Sequence, residues 1–246
     1  MIKPDERNKM MTILPLMATL LPVILLSVYI WRKDPQKEPI SQLVKAVACG
    51  VAICIPVAIL ESGIEACLFG SGGASSIIDT TVIAFFVAAL PEEACKLLVL
   101  WLILRNNPYF DEHFDGIVYA VCVSLGFAAI ENVFYVFGEG DGWMTVAVTR
   151  ALLAVPGHYA FAILMGYYYS LYHFVNHSRK IAACILLAPV LAHGFYDALA
   201  LSGTVNPYVG GLSFFILIYF CVKMHKVANN KVLALIEKDV RNINHQ

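Results

Sequence analysis

The chain has 246 residues, of which 59% are apolar and only 14% charged, with a mean hydropathy of +0.72. A soluble domain is nearer half apolar and a quarter charged, and it has no need of the long unbroken apolar blocks present here. The formal net charge of −1 leaves no basic field for nucleic acid. Seven cysteines (Cys49, Cys54, Cys67, Cys95, Cys122, Cys184 and Cys221) are scattered singly, with no CxxC pair. That pattern reads as small apolar packing groups, not as a disulfide or metal framework.

Seven apolar segments succeed one another along the chain, at 12–31, 42–60, 77–104, 114–137, 143–172, 180–202 and 208–227. Each is long enough for a hydrocarbon core that takes about 20 helical residues. Lipid offers the backbone no hydrogen-bond partner, so these segments are expected to be helices. The alternation of membrane strands is absent. The fold class expected is therefore all-α, a polytopic transmembrane bundle of about seven helices. The first segment comes after Lys3, Arg7 and Lys9 and ends at Arg32 and Lys33. It is too long for a signal-peptide core and reads as a retained helix. The third and fifth segments are long and contain Pro91 and Pro156, so tilting or a break is expected there. A single membrane domain over 1–227 is expected, with a polar C-terminal tail over 228–246 forming a short cytoplasmic helix at the membrane surface.

Lys and Arg orient the chain. The connections 32–45, 105–113 and 173–180, with the tail from Lys223, hold 12 of the 17 basic residues. The connections 61–76, 138–142 and 203–207 hold none and carry Glu61, Glu65, Glu139 and Asp141. The positive-inside rule makes the first set cytoplasmic, with the N-terminus outside and the C-terminus inside. The three basic residues of the N-terminal arm oppose that placement of the first helix.

Eight ionisable residues remain inside apolar segments: Glu92, Glu93, Lys96, Glu131, Arg150, His158, His193 and Asp197. A charge at mid-bilayer costs a few kcal/mol even on the lenient insertion scale, so such groups face the bundle interior. Internal pairing accounts for some of them, since Lys96 stands at i+4 from Glu92 and i+3 from Glu93. It does not account readily for eight on four consecutive helices. Counted from the outer ends of their segments, Asp197, Glu131, Arg150 and His193 lie about 5 to 9 residues deep, and Glu92, Glu93 and His158 about 15. At 1.5 Å per residue they span the outer half of the membrane down to its midplane and can line one cavity. His193 and Asp197 share a helix face at i,i+4, so the carboxylate can orient the imidazole. Gly126, Gly157, Gly166 and Gly194 flank these positions; small residues there let helices approach, a general packing device. The aromatic run Tyr167, Tyr168, Tyr169 and Tyr172 reads as an interfacial belt.

The motifs PEEACK (Pro91, Glu92, Glu93, Lys96), FAAIEN (Phe127, Glu131, Asn132), PGH (Pro156, Gly157, His158) and HGFYD (His193, Asp197) resemble those of the PrsW family of intramembrane proteases. The similarity covers about residues 85–200 in the family's order. No motif is specific alone; their combination inside apolar segments is. The wider clan includes the type II CAAX prenyl endopeptidases, but that branch places His at the position of Glu131 and usually Asn at that of Asp197. The resemblance implies proteolysis of a single-pass membrane protein substrate in the lipid bilayer, near its extracytoplasmic side, with site-1 cleavage of an anti-sigma factor as the family's described role.

Two mechanisms are compatible with the resemblance. In one, Glu131, His158 and His193 bind Zn²⁺, leaving a fourth position for water, and Glu92 or Glu93 serves as general base. In the other, a glutamate of the pair activates water without a metal, and His193 with Asp197 helps stabilise the oxyanion. The catalytic set expected is Glu92, Glu93, Glu131, His158, His193 and Asp197, supported by Lys96, Asn132 and Arg150. There is no HExxH. The alternatives are a zinc-dependent membrane lipid hydrolase, which would want an HxxxH pair, and a proton-coupled transporter, which would show internal repeats.

Overall fold

Because amides in lipid can bond only to one another, each apolar segment closes its own hydrogen bonds, and the computed structural model shows seven continuous helices among the described residues. It describes the backbone of residues 4–70 and 72–243; Lys3 of the basic arm and the last residues 244–246 lie outside the described residues. The helices are α1 (Pro4–Lys33), α2 (Ile40–Phe69), α3 (77–104), α4 (Asp115–Gly138), α5 (143–174), α6 (Arg179–Val205) and α7 (Pro207–Ile243). No strand occurs among the described residues. Six of the seven are long and apolar enough to span a bilayer. The exception, α3, carries Asp79, Glu92, Glu93 and Lys96, more charges than an ordinary membrane span holds.

The two internal prolines do not break their helices. Proline lacks an N–H and its ring strikes the carbonyl four residues back. In α3 the chain widens into a π-helix over Ile83–Ala89, and Leu90 N–H reaches back to Phe85 O just before Pro91. In α5 the same occurs over Arg150–Ala154, where Val155 N–H bonds Arg150 O just before Pro156. The extra residue per turn absorbs the ring and rotates the rest of the helix. Glu92, Glu93 and His158 all stand on the first turn after such a widening.

Helix α4 is the axis of the bundle, buried without interruption from Asp115 to Ala129 and packed against α1, α2, α3 and α5. Lipid is as apolar as leucine, so close van der Waals contact has to drive this packing. Small residues make it possible. A Cβ on Gly126 would stand 2.3 Å from Val47 O, and one on Gly50 would stand 2.0 Å from Val123 O, so α2 and α4 cross backbone to backbone. A Cβ on Gly166 would stand 2.3 Å from Gly116 O, which brings α4 and α5 equally close. Gly194 leaves room for the Phe85 ring of the π-segment. Gly157 differs from the expectation, because a Cβ there meets only ordinary contacts, the nearest at 3.5 Å.

The C-terminal tail also differs. Among the described residues it forms no separate surface helix; α7 runs on unbroken to Ile243. Its 37 residues make a rod of about 55 Å, nearly twice the hydrocarbon thickness. Ala228, Val232, Leu235 and Asp239 form one buried stripe along its end. Asp239 accepts hydrogen bonds from His113 N (3.1 Å) and Phe114 N (2.8 Å), and its Oδ1 lies 2.6 Å from His113 Nδ1. The tail thus clamps the loop that enters α4. Tyr167, Tyr168 and Tyr169 are half-buried against the same core, with Lys231 Nζ 4.0 Å from the Tyr167 ring centre.

Candidate active site within the helix bundle

Glu92 and Glu93 occupy the first turn of the helix that resumes at Leu90, and Lys96 lies one turn below them. All three are buried. An ammonium between two carboxylates is the arrangement that lets three charges survive away from water. Lys96 Nζ donates to Glu92 Oε2 at 2.7 Å and Glu93 Oε1 at 2.8 Å, and the Phe127 ring lies 4.3 Å beneath it. The third proton of the ammonium points toward His158 Nδ1, 3.4 Å away.

His158 from α5 and His193 from α6 complete the floor, their rings 5.3 Å apart. Each imidazole is held at both nitrogens. His158 Nε2 lies 2.8 Å from Glu131 Oε2. His193 Nδ1 lies 3.0 Å from Glu93 Oε1, and Nε2 lies 3.2 Å from Asp197 Oδ2 one turn along the same helix. Phe161 stacks flat on the His193 ring at 4.9 Å. Carboxylates on the far nitrogen fix the tautomer and raise the basicity of an imidazole. Arg150 leaves the π-turn of α5 to reach α4, where Nη2 stands 2.9 Å from Glu131 Oε2 and Nε donates to Asn132 Oδ1 at 2.5 Å. The structure therefore gathers all nine residues singled out in the sequence into one connected cluster.

Within that cluster the sequence expectation and the geometry differ in one respect. The side chains whose donor atoms all lie within 4.8 Å of one another are Glu92, His158 and His193, whereas the resemblance suggested Glu131 with the two histidines. Glu131 is instead engaged by Arg150 and His158 at the edge of the site. Two imidazole nitrogens and a carboxylate oxygen are a donor set that suits a zinc-class ion. Lys96 is the nearest competing charge.

A cavity of about 480 Å³ opens over this floor, lined by Glu92, Glu131, Arg150 and Asp197 among others. Glu93 and the two imidazoles are absent from its wall and sit behind it. Glu61 and Glu65 line the mouth, and sequence reasoning assigned both to a connection between helices. They belong to α2, which runs on to Phe69. The spacing held the clue, since Cys54, Ala58, Glu61 and Glu65 form a single i, i+4, i+7, i+11 stripe. Tyr135 and Tyr196 also line the cavity, and Tyr135 lies 4.1 Å under the Arg150 guanidinium.

Buried imidazoles and carboxylates from four membrane helices, converging beneath a cavity, define a membrane-embedded enzyme with the donor set of a metallohydrolase. Comparison with known proteins agrees. The family model described as PrsW family intramembrane metalloprotease matches residues 38–224. Protease PrsW of Clostridioides difficile (strain 630) is 34% identical over 183 residues, covering 72% of this chain and 75% of that protein. Protease PrsW of Geobacillus kaustophilus is 32% identical over 213 residues, covering 86% and 89%, and that of Bacillus subtilis (strain 168) is 32% identical over 183 residues, covering 73% and 79%. No solved structure matches the chain. The chain belongs to the PrsW family of intramembrane metalloproteases; it is an integral multi-pass membrane peptidase.

Proposed function

We propose that this peptidase cleaves a single-pass membrane protein near the extracytoplasmic face, as a site-1 protease of an anti-sigma factor would, with Zn²⁺ held by Glu92, His158 and His193. The convergence of those three side chains within 4.8 Å, under a cavity walled by Glu131, Arg150 and Asp197, carries the reading. The ion would supply Lewis acidity toward a water or carbonyl oxygen. The chain's own residues supply the rest. Glu131 reaches the cavity with its side chain 19% exposed and is the general base that takes a proton from the attacking water. Glu93 is fully buried behind His193, which suits orienting the imidazole and not meeting a substrate. Asp197 holds the other nitrogen of His193. Arg150 stands beside Glu131, placed to favour negative charge developing on the carbonyl oxygen.

One observation favours a second reading, in which no metal takes part. Lys96 Nζ already stands 2.7 and 2.8 Å from Glu92 and Glu93, so the chain's own ammonium offsets part of the charge that a metal would otherwise meet at Glu92. Metal analysis of purified protein with a cleavage assay on single-pass substrates decides between the two. Stoichiometric zinc, loss of activity on chelation and recovery on adding Zn²⁺ are expected. Full activity in metal-free protein would leave only the second reading.

The outward orientation rests on the distribution of Lys and Arg. Reporter fusions should place 34–39 and the end of α7 in the cytoplasm and 139–142 outside. A cytoplasmic reporter at 139–142 would overturn the extracytoplasmic site.

A further inference from the structure

At the opposite end of α4 from the active site, a second group of acids converges that the peptidase chemistry does not use. Asp34 and Glu38 come from the α1–α2 connection, Glu112 from the loop before α4, and Asp115 from the first turn of α4. All four are buried, with 0 to 7% of their surface exposed. One oxygen each of Asp34, Glu112 and Asp115 lies within 4.8 Å of the others, and Glu38 stands close to Asp34 and Asp115.

The neighbours do not balance this charge. Among the described residues, no Lys or Arg nitrogen stands within 4.0 Å of any of the four carboxylates. The nearby Lys37 Nζ donates to the backbone carbonyls of Asp34 and Arg32. What the cluster does receive is neutral: the Tyr119 hydroxyl donates to Glu38, the Gln36 amide donates to Glu112, and backbone N–H groups of Gln36 and Glu38 donate to Asp34.

A separate observation at the atom level points to a missing partner. Asp115 uses Oδ2 to accept from Asp111 N (3.1 Å) and Glu112 N (2.7 Å), which leaves Oδ1 for the cluster. That oxygen and Glu112 Oε2 are both sealed from solvent and have no hydrogen-bond partner. Buried carboxylate oxygens are otherwise almost always satisfied. A group that meets several of them at once is a hard cation. Two oxygens opposed across a Ca²⁺ at about 2.4 Å are about 4.8 Å apart, and Mg²⁺ draws its oxygens closer, at about 2.1 Å. The donors are all oxygen, with none of the nitrogen that marks the intramembrane floor, so the two sites should sort ions by hardness.

We infer that Asp34, Glu112 and Asp115, with Glu38 beside them, form a binding site for a hard divalent cation of the Mg²⁺ or Ca²⁺ class. The ion would tie the α1–α2 connection to the entry of α4, beside the point where α7 clamps the same loop through Asp239. The site is independent of how the peptide bond is cleaved.

The test uses the full chain in detergent micelles, stripped with EDTA and titrated with Mn²⁺ as a paramagnetic probe. A saturable site that Mg²⁺ or Ca²⁺ displaces is expected, and it should be retained in Glu92→Gln, which removes a ligand of the intramembrane group. Asp34→Asn and Glu112→Gln should each weaken it at least tenfold, and the glutamine keeps an acceptor for Gln36. The melting temperature of the wild type should rise with Mg²⁺ or Ca²⁺ relative to Na⁺ at equal ionic strength, a readout that holds even if a variant fails to fold. No saturable Mn²⁺ binding by the folded wild type, unchanged affinity in both variants, or a melting temperature indifferent to divalent ions would each overturn the site.

Discussion

The two ends of α4 pose the same electrostatic problem and answer it differently. Glu131 and Asp115 are 16 residues apart on one helix, about 24 Å along its axis. Around each, carboxylates from neighbouring helices and loops are buried together. Near Glu131 the chain supplies counter-charges of its own. Lys96 lies between Glu92 and Glu93, Arg150 meets Glu131, and each histidine stands beside an acid. Around Asp115 the partners are a phenol, an amide and backbone N–H groups, all neutral. The difference follows from depth. A site inside the bilayer cannot count on water or ions to balance it during folding, so its counter-charges have to be covalently present. A site at the end of a helix lies within reach of water, and can leave its balance to a proton or a cation.

The sharpest break of this comparison is on the catalytic side. Glu131→Gln and Glu92→Gln should insert normally yet lose about 10²- to 10⁴-fold in cleavage, read with a purified single-pass substrate. Normal rates in both would make the intramembrane acids structural. Next comes Lys96→Met, which leaves two buried carboxylates unbalanced and should cost about 3–5 kcal/mol of stability. Thermal melting measures it, and adding Glu93→Gln should recover part of the loss, because one of the stranded charges is then gone. An unchanged melting temperature in Lys96→Met would mean that the acids are not held by the ammonium.

Asp197→Asn is a smaller perturbation. If Asp197 positions His193 as a ligand, activity and metal affinity should both fall about 10- to 100-fold. Full activity of Asp197→Asn in protein without stoichiometric metal would support the metal-free reading, because asparagine can still hydrogen-bond the ring and can donate where an ionised aspartate cannot.

The smallest effect expected concerns the acidic end, in buffer free of divalent ions. Burial pushes Asp34 up to about 6 from 3.8, and Glu38 up to about 7 from 4.5, with Tyr119 and Lys37 pulling the other way and Asp239 and Asp111 adding to the rise. Acids whose folded values are raised hold their proton more tightly in the folded state. Their contribution is fully present below about pH 4 and is lost as pH rises through about 6 to 7. The melting temperature should fall across that window in EDTA, and the fall should shrink when Mg²⁺ is added. A flat profile in EDTA would show that the cluster does not need a counter-charge.

Hydropathy alone determined the seven helices and most of their limits, because a chain in lipid has no alternative way to satisfy its amides. The cost of burying charge determined, equally without a structure, that Glu92, Glu93, Lys96, Glu131, Arg150, His158, His193 and Asp197 belong to one interior site. Tertiary structure decided the pairing among them. Whether Glu92 or Glu131 joins the two imidazoles depends on how the π-turns before Pro91 and Pro156 rotate their helices, a shift of one residue per turn that helical periodicity does not reveal. Glu61 is a different case: its i, i+4, i+7, i+11 stripe with Cys54, Ala58 and Glu65 was legible in the spacing, and the run of α2 on to Phe69 puts it to use. The acidic cluster was least legible of all. Asp34 lies some eighty residues from Glu112 and Asp115, and only the close crossings of α4 with its neighbours, permitted by glycines that let backbones touch, bring their oxygens together.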